Sequence, residues 1–167
     1  MKKRTKQKDT KILFTNNYPY KNNTTSNKKY TYMLGIGGNI GNTKRIFDKL
    51  FLNLKQNSFV FVKQTSFLYI NPPFGYLKQN NFTNTIVIIK TNKSAKIFLE
   101  QTKYIEKRFK RERLFKDAPR SLDIDIIVCK KGKHMIKKQT KNLQIPHKHW
   151  KQRHSVIVPL RYIKNNR

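Results

Sequence analysis

The chain has a single cysteine, Cys129, which excludes an intrachain disulfide and fits a reducing cytosol. No apolar run approaches the roughly 20 residues of a membrane-spanning helix. The basic start is followed by polar residues, not an apolar stretch, so no secretory signal is expected and the expected location is cytoplasmic. No internal repeat is visible. Acidic residues are the scarcest resource: eight Asp and Glu stand against 38 Lys and Arg.

What is present suffices for one folded domain. At 167 residues, 37% hydrophobic and 12% aromatic, the chain can bury a real core. The net charge of +30 raises the question of a polyanionic partner. The lysines, however, are spread along the whole chain and form no stripe, as a compositional habit with solvated charge would leave them. Nucleic acid is therefore not the expected partner, although such a surface draws small phosphorylated molecules.

Residues 1–28 read as a basic, polar, flexible N-terminal arm, in which Ile12, Leu13 and Phe14 offer a short edge strand or packing on the body; removing the arm is expected to leave activity nearly unchanged. Residues 29–167 read as the single domain. Tyr30–Ile36 predicts a strand ending in glycines. A helix capped by Asn42 or Thr43 runs to about Gln56, with Ile46, Phe47, Leu50, Phe51 and Leu54 on its apolar side. Phe59–Tyr69 predicts a strand, and a long loop runs from Asn71 to Asn81, as a lid would. Phe82–Lys90 is a strand. A helix starting near Ser94 carries Phe98, Ile105 and Phe109 on one face. After a charged loop, Leu122–Cys129 is the last core strand. This strand–helix–strand–strand–helix–strand order predicts an α+β, ferredoxin-like βαββαβ fold, with an antiparallel sheet, helices on one face and a C-terminal extension over 130–167. The extension offers a short helical stretch near His149–Arg153 and the apolar run Val156–Leu160.

The most informative feature lies in the last core strand. Asp123 and Asp125 alternate with Leu122, Ile124, Ile126 and Val128, so the two carboxylates share one face, about 7 Å apart. Like charges held that close need a cation, and a hard divalent metal is the simplest one. A magnesium–nucleotide site is the expectation. Arg111, Arg113 and Arg120 precede the pair; a guanidinium fork suits triphosphate oxygens, although in a lysine-rich chain they also read as surface charge. Glu106 faces either solvent or the nucleotide. His147 and Arg153 read as phosphate or leaving-group contacts, and Trp150 as a packing anchor. Zinc is not supported, because the histidines have no cysteine partner and no paired ligand cluster. The Gly35–Gly41 segment suits anion binding, close substrate approach or merely a tight turn; it lacks the closing Lys-Ser/Thr of a P-loop. Phe82 suits stacking on a flat heterocycle or plain strand core, and Asn84 suits reading that heterocycle's edge.

In Gly37-Gly38-Asn39, Tyr69 through Gly75, Phe82-Thr83-Asn84, Pro119 through Asp125, Ile145-Pro146-His147 and Arg153 through Pro159-Leu160, the chain resembles the 6-hydroxymethyl-7,8-dihydropterin pyrophosphokinase family. The resemblance spans about 32–163 and its ordered set of motifs is specific. It implies transfer of diphosphate from ATP to the hydroxymethyl group of a reduced pterin, with release of AMP, in folate biosynthesis. It implies two magnesium ions on Asp123 and Asp125. Arg111 and Arg120 would join these in catalysis. Glu106, Arg111, Arg113, Arg120, His147 and Arg153 would form the ATP site. Asn71, Pro72, Phe74, Phe82 and Asn84 would form the pterin site. The expected assembly is a monomer in functional contact with dihydropteroate synthase. The chain departs from the family pattern at Ser155, where relatives place a second stacking ring, at Asp117, where some carry tryptophan, and at Lys103, where relatives can carry glutamine. Competing readings are a nucleic-acid-binding module of the same fold, another magnesium-dependent nucleotide transferase, and a pseudoenzyme.

Overall fold

A computed structural model describes residues 10–73, 75–112, 115 and 117–166. The expected core appears as β3 (Tyr30–Gly38), α1 (Thr43–Gln56), β4 (Val60–Thr65), β5 (Leu68–Asn71), β6 (Phe82–Thr91), α2 (Ala95–Arg108) and β7 (Asp123–Lys131). All the pairings among these strands are antiparallel: β3 lies between β6 and β7, and β6 also pairs with β4 and β5. The α+β class is as read from sequence. The predicted 59–69 strand is two strands on one partner. They part at Ser66, whose N–H donates to the Ile86 carbonyl (2.9 Å) and whose hydroxyl accepts the Ile86 N–H (3.0 Å).

The capping expectation for α1 is met by Asn42, whose side chain accepts the Arg45 N–H at 3.0 Å. Phe47, Leu50, Phe51 and Leu54 recur at helical spacing and are all buried. They pack with Phe98 and Ile105 of α2 against Tyr32, Leu34, Ile36, Ile124 and Ile126. A fully buried Leu or Phe in such a layer is worth about 1.5–3 kcal/mol in transfer free energy.

The C-terminal extension differs from expectation. Beyond short strands β8 (His134–Met135), β9 (Lys138–Thr140) and β10 (Leu143–Ile145), and a 3-10 turn at Trp150–Gln152, it closes with α3 (His154–Asn165). The β-branched run Val156-Ile157-Val158 and the internal Pro159 both obscure a helix in sequence. Tertiary burial overrides them, since Val156, Pro159, Leu160 and Ile163 all fall on one buried stripe. Val156, Leu160 and Ile163 join Ile86, Ile127 and Val128 in a second core, so α3 covers the sheet face opposite α1 and α2. Trp150 packs against this core as an anchor.

Residues 10–28 are docked on the domain, not free. β1 (Lys11–Leu13) adds to β5 as the edge strand that the sequence offered, and β2 (Tyr20–Lys21) pairs with β4. Between them Tyr18 is fully buried, donates its hydroxyl to the Phe47 carbonyl at 2.8 Å, and meets the rings of Phe47 and Phe51. Lys63 Nζ donates to the carbonyls of Asn22 (2.8 Å) and Thr24 (3.2 Å), and Lys90 Nζ to that of Ser26 (2.9 Å). A basic polar segment hid this because three scattered aromatic rings, Phe14, Tyr18 and Tyr20, carry the apolar attachment and lysines satisfy the carbonyls.

Candidate active site

β7 positions the acidic pair. Asp125 lies opposite Gly35 and Asp123 opposite Gly37 on β3, while Ile124 and Ile126 enter the core beneath the helices. The expected alternation ends after Ile127. A bulge advances the register by one residue, so Ile127 and Val128 both belong to the α3 side. Val128 therefore does not share the face of Ile124, as plain alternation predicts.

Basic side chains surround both carboxylates. Arg111 Nη1 lies 2.7 Å from Asp123 Oδ1, and Arg120 Nε lies 3.0 Å from Asp123 Oδ2. Arg153 Nη1 donates to Asp125 Oδ2 at 3.3 Å, and His147 Nε2 is 3.8 Å from the same oxygen. Glu106, from the last turn of α2, is buried; it pairs with Arg111 and accepts the Ile124 N–H at 2.8 Å. The alternative of a solvated Glu106 is thereby removed. Burial raises the Glu106 pKa, against the Ile124 N–H and Arg111, with a smaller upward push from the Asp123 charge. Partial burial and the Asp123 charge likewise raise that of Asp125, against His147, Arg153 and Arg120. Arg111 Nε is buried and, among the described residues, has no hydrogen-bond acceptor.

The glycine-rich turn serves as scaffold. The N–H groups of Asn39 and Ile40 donate to the Arg120 carbonyl at 2.8 and 3.2 Å, and Arg120 N–H returns a bond to Asn39 Oδ1 at 2.9 Å. Those amides are spent on protein, not aimed at an anion. A Cβ on Gly38 would stand 2.4 Å from the Ser121 carbonyl oxygen, which requires glycine there. Asn39 Nδ2 also donates to Gln79 Oε1 at 2.9 Å, and Gln79 Nε2 donates to the Asp117 carbonyl at 3.1 Å. Sequence reasoning singled out neither Asn39 as a tie nor Gln79, because isolated amides in polar loops carry no periodic signal.

A second group lies across β5 and β6. Asn84 Nδ2 donates to Asn71 Oδ1 at 2.7 Å, since Asn71 faces Phe82 and Tyr69 faces Asn84 in the ladder. Phe82 is half-buried, and the Arg120 guanidinium sits 5.1 Å from its ring centroid. Pro72 follows Asn71 and is half-buried. Gly75 meets Asp117: a Cβ at Gly75 would be 2.8 Å from Asp117 Oδ2, and its φ of +85° also favours glycine. Tyr76 and Phe115 make an edge contact at 5.4 Å, joining the two loops. Ser155 is the second residue of α3. Phe74 and Arg113 lie outside the described residues.

Between α2, β7 and the β9–β10 hairpin runs a groove of about 550 Å³, bordered by Lys103, Glu106, Asp123, Asp125, Thr140 and His147. Its floor carries the acidic pair and its rim carries cations. Among the described residues no cluster of three or more acidic, His or Cys groups forms a metal cage. Two hard carboxylates on one face still fit magnesium, which commonly takes one or two carboxylates and completes its shell with phosphate oxygens and water. No helix among the described residues is long and apolar enough to cross a membrane.

Comparison with known proteins agrees with this geometry. The family model described as 7,8-dihydro-6-hydroxymethylpterin-pyrophosphokinase matches residues 33–165. The 2-amino-4-hydroxy-6-hydroxymethyldihydropteridine pyrophosphokinase of Helicobacter pylori is 46% identical over 130 residues, 77% of each chain. That of Campylobacter jejuni is 37% identical over 143 residues, 86% of this chain and 88% of the relative. That of Aquifex aeolicus is 32% identical over 136 residues, 81% of each. The acidic pair, its arginines and the Asn71–Asn84–Phe82 group all lie within the matched span, and the chain belongs to the 7,8-dihydro-6-hydroxymethylpterin-pyrophosphokinase family.

Proposed function

We propose that the protein transfers the β,γ-diphosphate of ATP, as a unit, to the hydroxymethyl oxygen of 6-hydroxymethyl-7,8-dihydropterin and releases AMP. The observation that carries this reading is the Asp123–Asp125 pair enclosed by Arg111, Arg120, Arg153 and His147, in a chain of this family. Asp123 and Asp125 would hold two magnesium ions. When bound, these would neutralise phosphate charge and lower the pKa of the attacking hydroxyl.

The chain's own residues supply the rest. Arg111 and Arg120 contact Asp123 at 2.7 and 3.0 Å, while Glu106 also holds Arg111 and the Ala118 carbonyl accepts from Arg120 Nη1; both guanidinium groups would turn to the phosphate oxygens of a bound nucleotide. Both would then bear on the charge that develops on the transferred group, the usual role of guanidinium clamps in phosphoryl transfer. Arg153 and His147 flank Asp125 and would hold the remaining phosphates; the family pattern adds Arg113. Phe82 would give the pterin a stacking face, and Asn84 with Asn71 would read its edge, beside Pro72 and Phe74.

The test is AMP release from ATP and magnesium with and without the pterin. Pterin-dependent AMP, matched by pterin diphosphate, is the expected result. ADP as the nucleotide product, or no product from folded protein that binds ATP, would overturn the assignment.

A further inference from the structure

Glu106 is one of only eight acidic residues in a chain of net charge +30, and it is buried at 4% exposure. Desolvation of a carboxylate is unfavourable, so its contacts must compensate. Its Oε1 accepts the N–H of Ile124 at 2.8 Å. Ile124 is the residue between the two aspartates. Its N–H lies on the edge of β7 away from β3, where no strand among the described residues pairs with it: β8 reaches only Lys130 and Lys131. Glu106 thus satisfies an edge-strand donor that would otherwise be orphaned, at the point where strand geometry sets the spacing of Asp123 and Asp125. The same carboxylate binds Arg111, whose Nη1 also lies 2.7 Å from Asp123 Oδ1. One side chain therefore links α2, the first arginine and the acidic strand.

We infer that Glu106 is a positioning residue, which acts through Arg111 and the Asp123–Ile124–Asp125 backbone by holding them in register. The inference rests on the proposed diphosphate transfer and goes beyond it. The family resemblance puts Glu106 at the ATP site, yet its carboxylate binds Arg111 and the Ile124 N–H. When Asp123 gives up Arg111, Glu106 keeps the guanidinium beside the strand, so the arginine does not swing into solvent. The elevated pKa of Glu106 agrees with a carboxyl group whose burial is tolerated for the contacts it makes.

Glu106→Gln keeps an oxygen for Ile124 but removes the charge that holds Arg111. Glu106→Leu removes both. With Glu106→Gln, kcat is expected to fall roughly 10- to 100-fold, as for loss of a residue orienting a ligand, with the KM for ATP nearly unchanged. In a double-mutant cycle with Arg111→Ala, the second substitution should add little to the first. In the protein without nucleotide, amide hydrogen exchange at Ile124 should be slow in the parent and in Glu106→Gln, and at least about tenfold faster in Glu106→Leu. A raised KM for ATP with kcat retained, additive effects with Arg111→Ala, or unchanged Ile124 exchange in folded Glu106→Leu would each overturn the inference. If Glu106→Leu does not fold, the Glu106→Gln kinetics and the cycle still decide it. Absence of pterin-dependent AMP release in the parent would remove the functional reading alone, and the exchange measurement would still test the Glu106–Ile124 tie.

Discussion

Arg120 lies over the face of Phe82, its guanidinium 5.1 Å from the ring centroid, while its Nε stands 3.0 Å from Asp123 Oδ2. One side chain thus spans the ring proposed to stack the pterin and the carboxylate proposed to hold a magnesium ion. Its carbonyl is simultaneously bound by the Asn39 and Ile40 amides, which fixes its backbone, while its Nη1 donates to the Ala118 carbonyl at 3.0 Å.

Arg120→Ala should cut kcat by about 10²–10³-fold, the scale for removing one preorganised group that meets developing charge. Arg120→Lys should recover only part of this, because an ammonium lacks the fork that bridges oxygens. Steady-state kinetics at saturating pterin check both. Wild-type kcat in the alanine variant would remove Arg120 from the reaction.

Asp123→Ala and Asp125→Ala should each abolish magnesium-dependent turnover while the fold persists. Removing Asp123 leaves Arg111 and Arg120 facing each other without their shared anion, so that variant should also lose some thermal stability. Calorimetric titration of magnesium with a non-hydrolysable ATP analogue, alongside circular dichroism, separates the two effects. Retained full activity in either variant would refute the metal role.

The pH dependence has a definite sign. Burial and the Asp123 charge raise the pKa of Asp125, so the folded protein holds that proton at a pH where an unfolded chain has released it. The resulting contribution to stability is complete below the ordinary aspartate pKa and is lost as pH rises through the elevated folded value. Without metal, chemical denaturation should therefore show this component diminishing as pH rises through that window, and Asp125→Asn should flatten it. Protons also compete with magnesium for the same carboxylate. Magnesium affinity should begin to fall, on acidification, at a higher pH than an ordinary aspartate would dictate.

Tyr18→Ala should cost about 3–5 kcal/mol, the range for deleting a large buried aromatic side chain. Tyr18→Phe should cost about 1 kcal/mol for the lost bond to the Phe47 carbonyl. Deleting residues 10–28 removes β1, Tyr18 and β2 together and should prevent stable folding, contrary to the expectation that the whole arm is dispensable. Urea denaturation of the point variants and solubility of the deletion check these outcomes.

Ser155→Phe should tighten pterin binding about fivefold, on the order of 1 kcal/mol for one added stacking face. Fluorescence titration with the pterin in the presence of an ATP analogue measures it. No gain would mean that another group already covers that face.

The sequence by itself determined the order of core strands and helices, because alternation in β7 and the apolar stripes of α1 and α2 are local patterns that burial enforces. It also determined the acidic pair and Arg120, since two carboxylates spaced for one strand face are conspicuous in so basic a chain. Tertiary structure decided what depends on partners distant in the chain. α3 is helical because the second core outweighs its β-branched residues and Pro159. Residues 10–28 are ordered because Tyr18 finds Phe47 and Phe51. Glu106 faces inward because the β7 edge presents an unpaired Ile124 N–H. The glycine turn is a scaffold because the Arg120 carbonyl takes its amides. Such choices are set by burial and hydrogen-bond satisfaction between segments far apart in the chain, which no local pattern encodes.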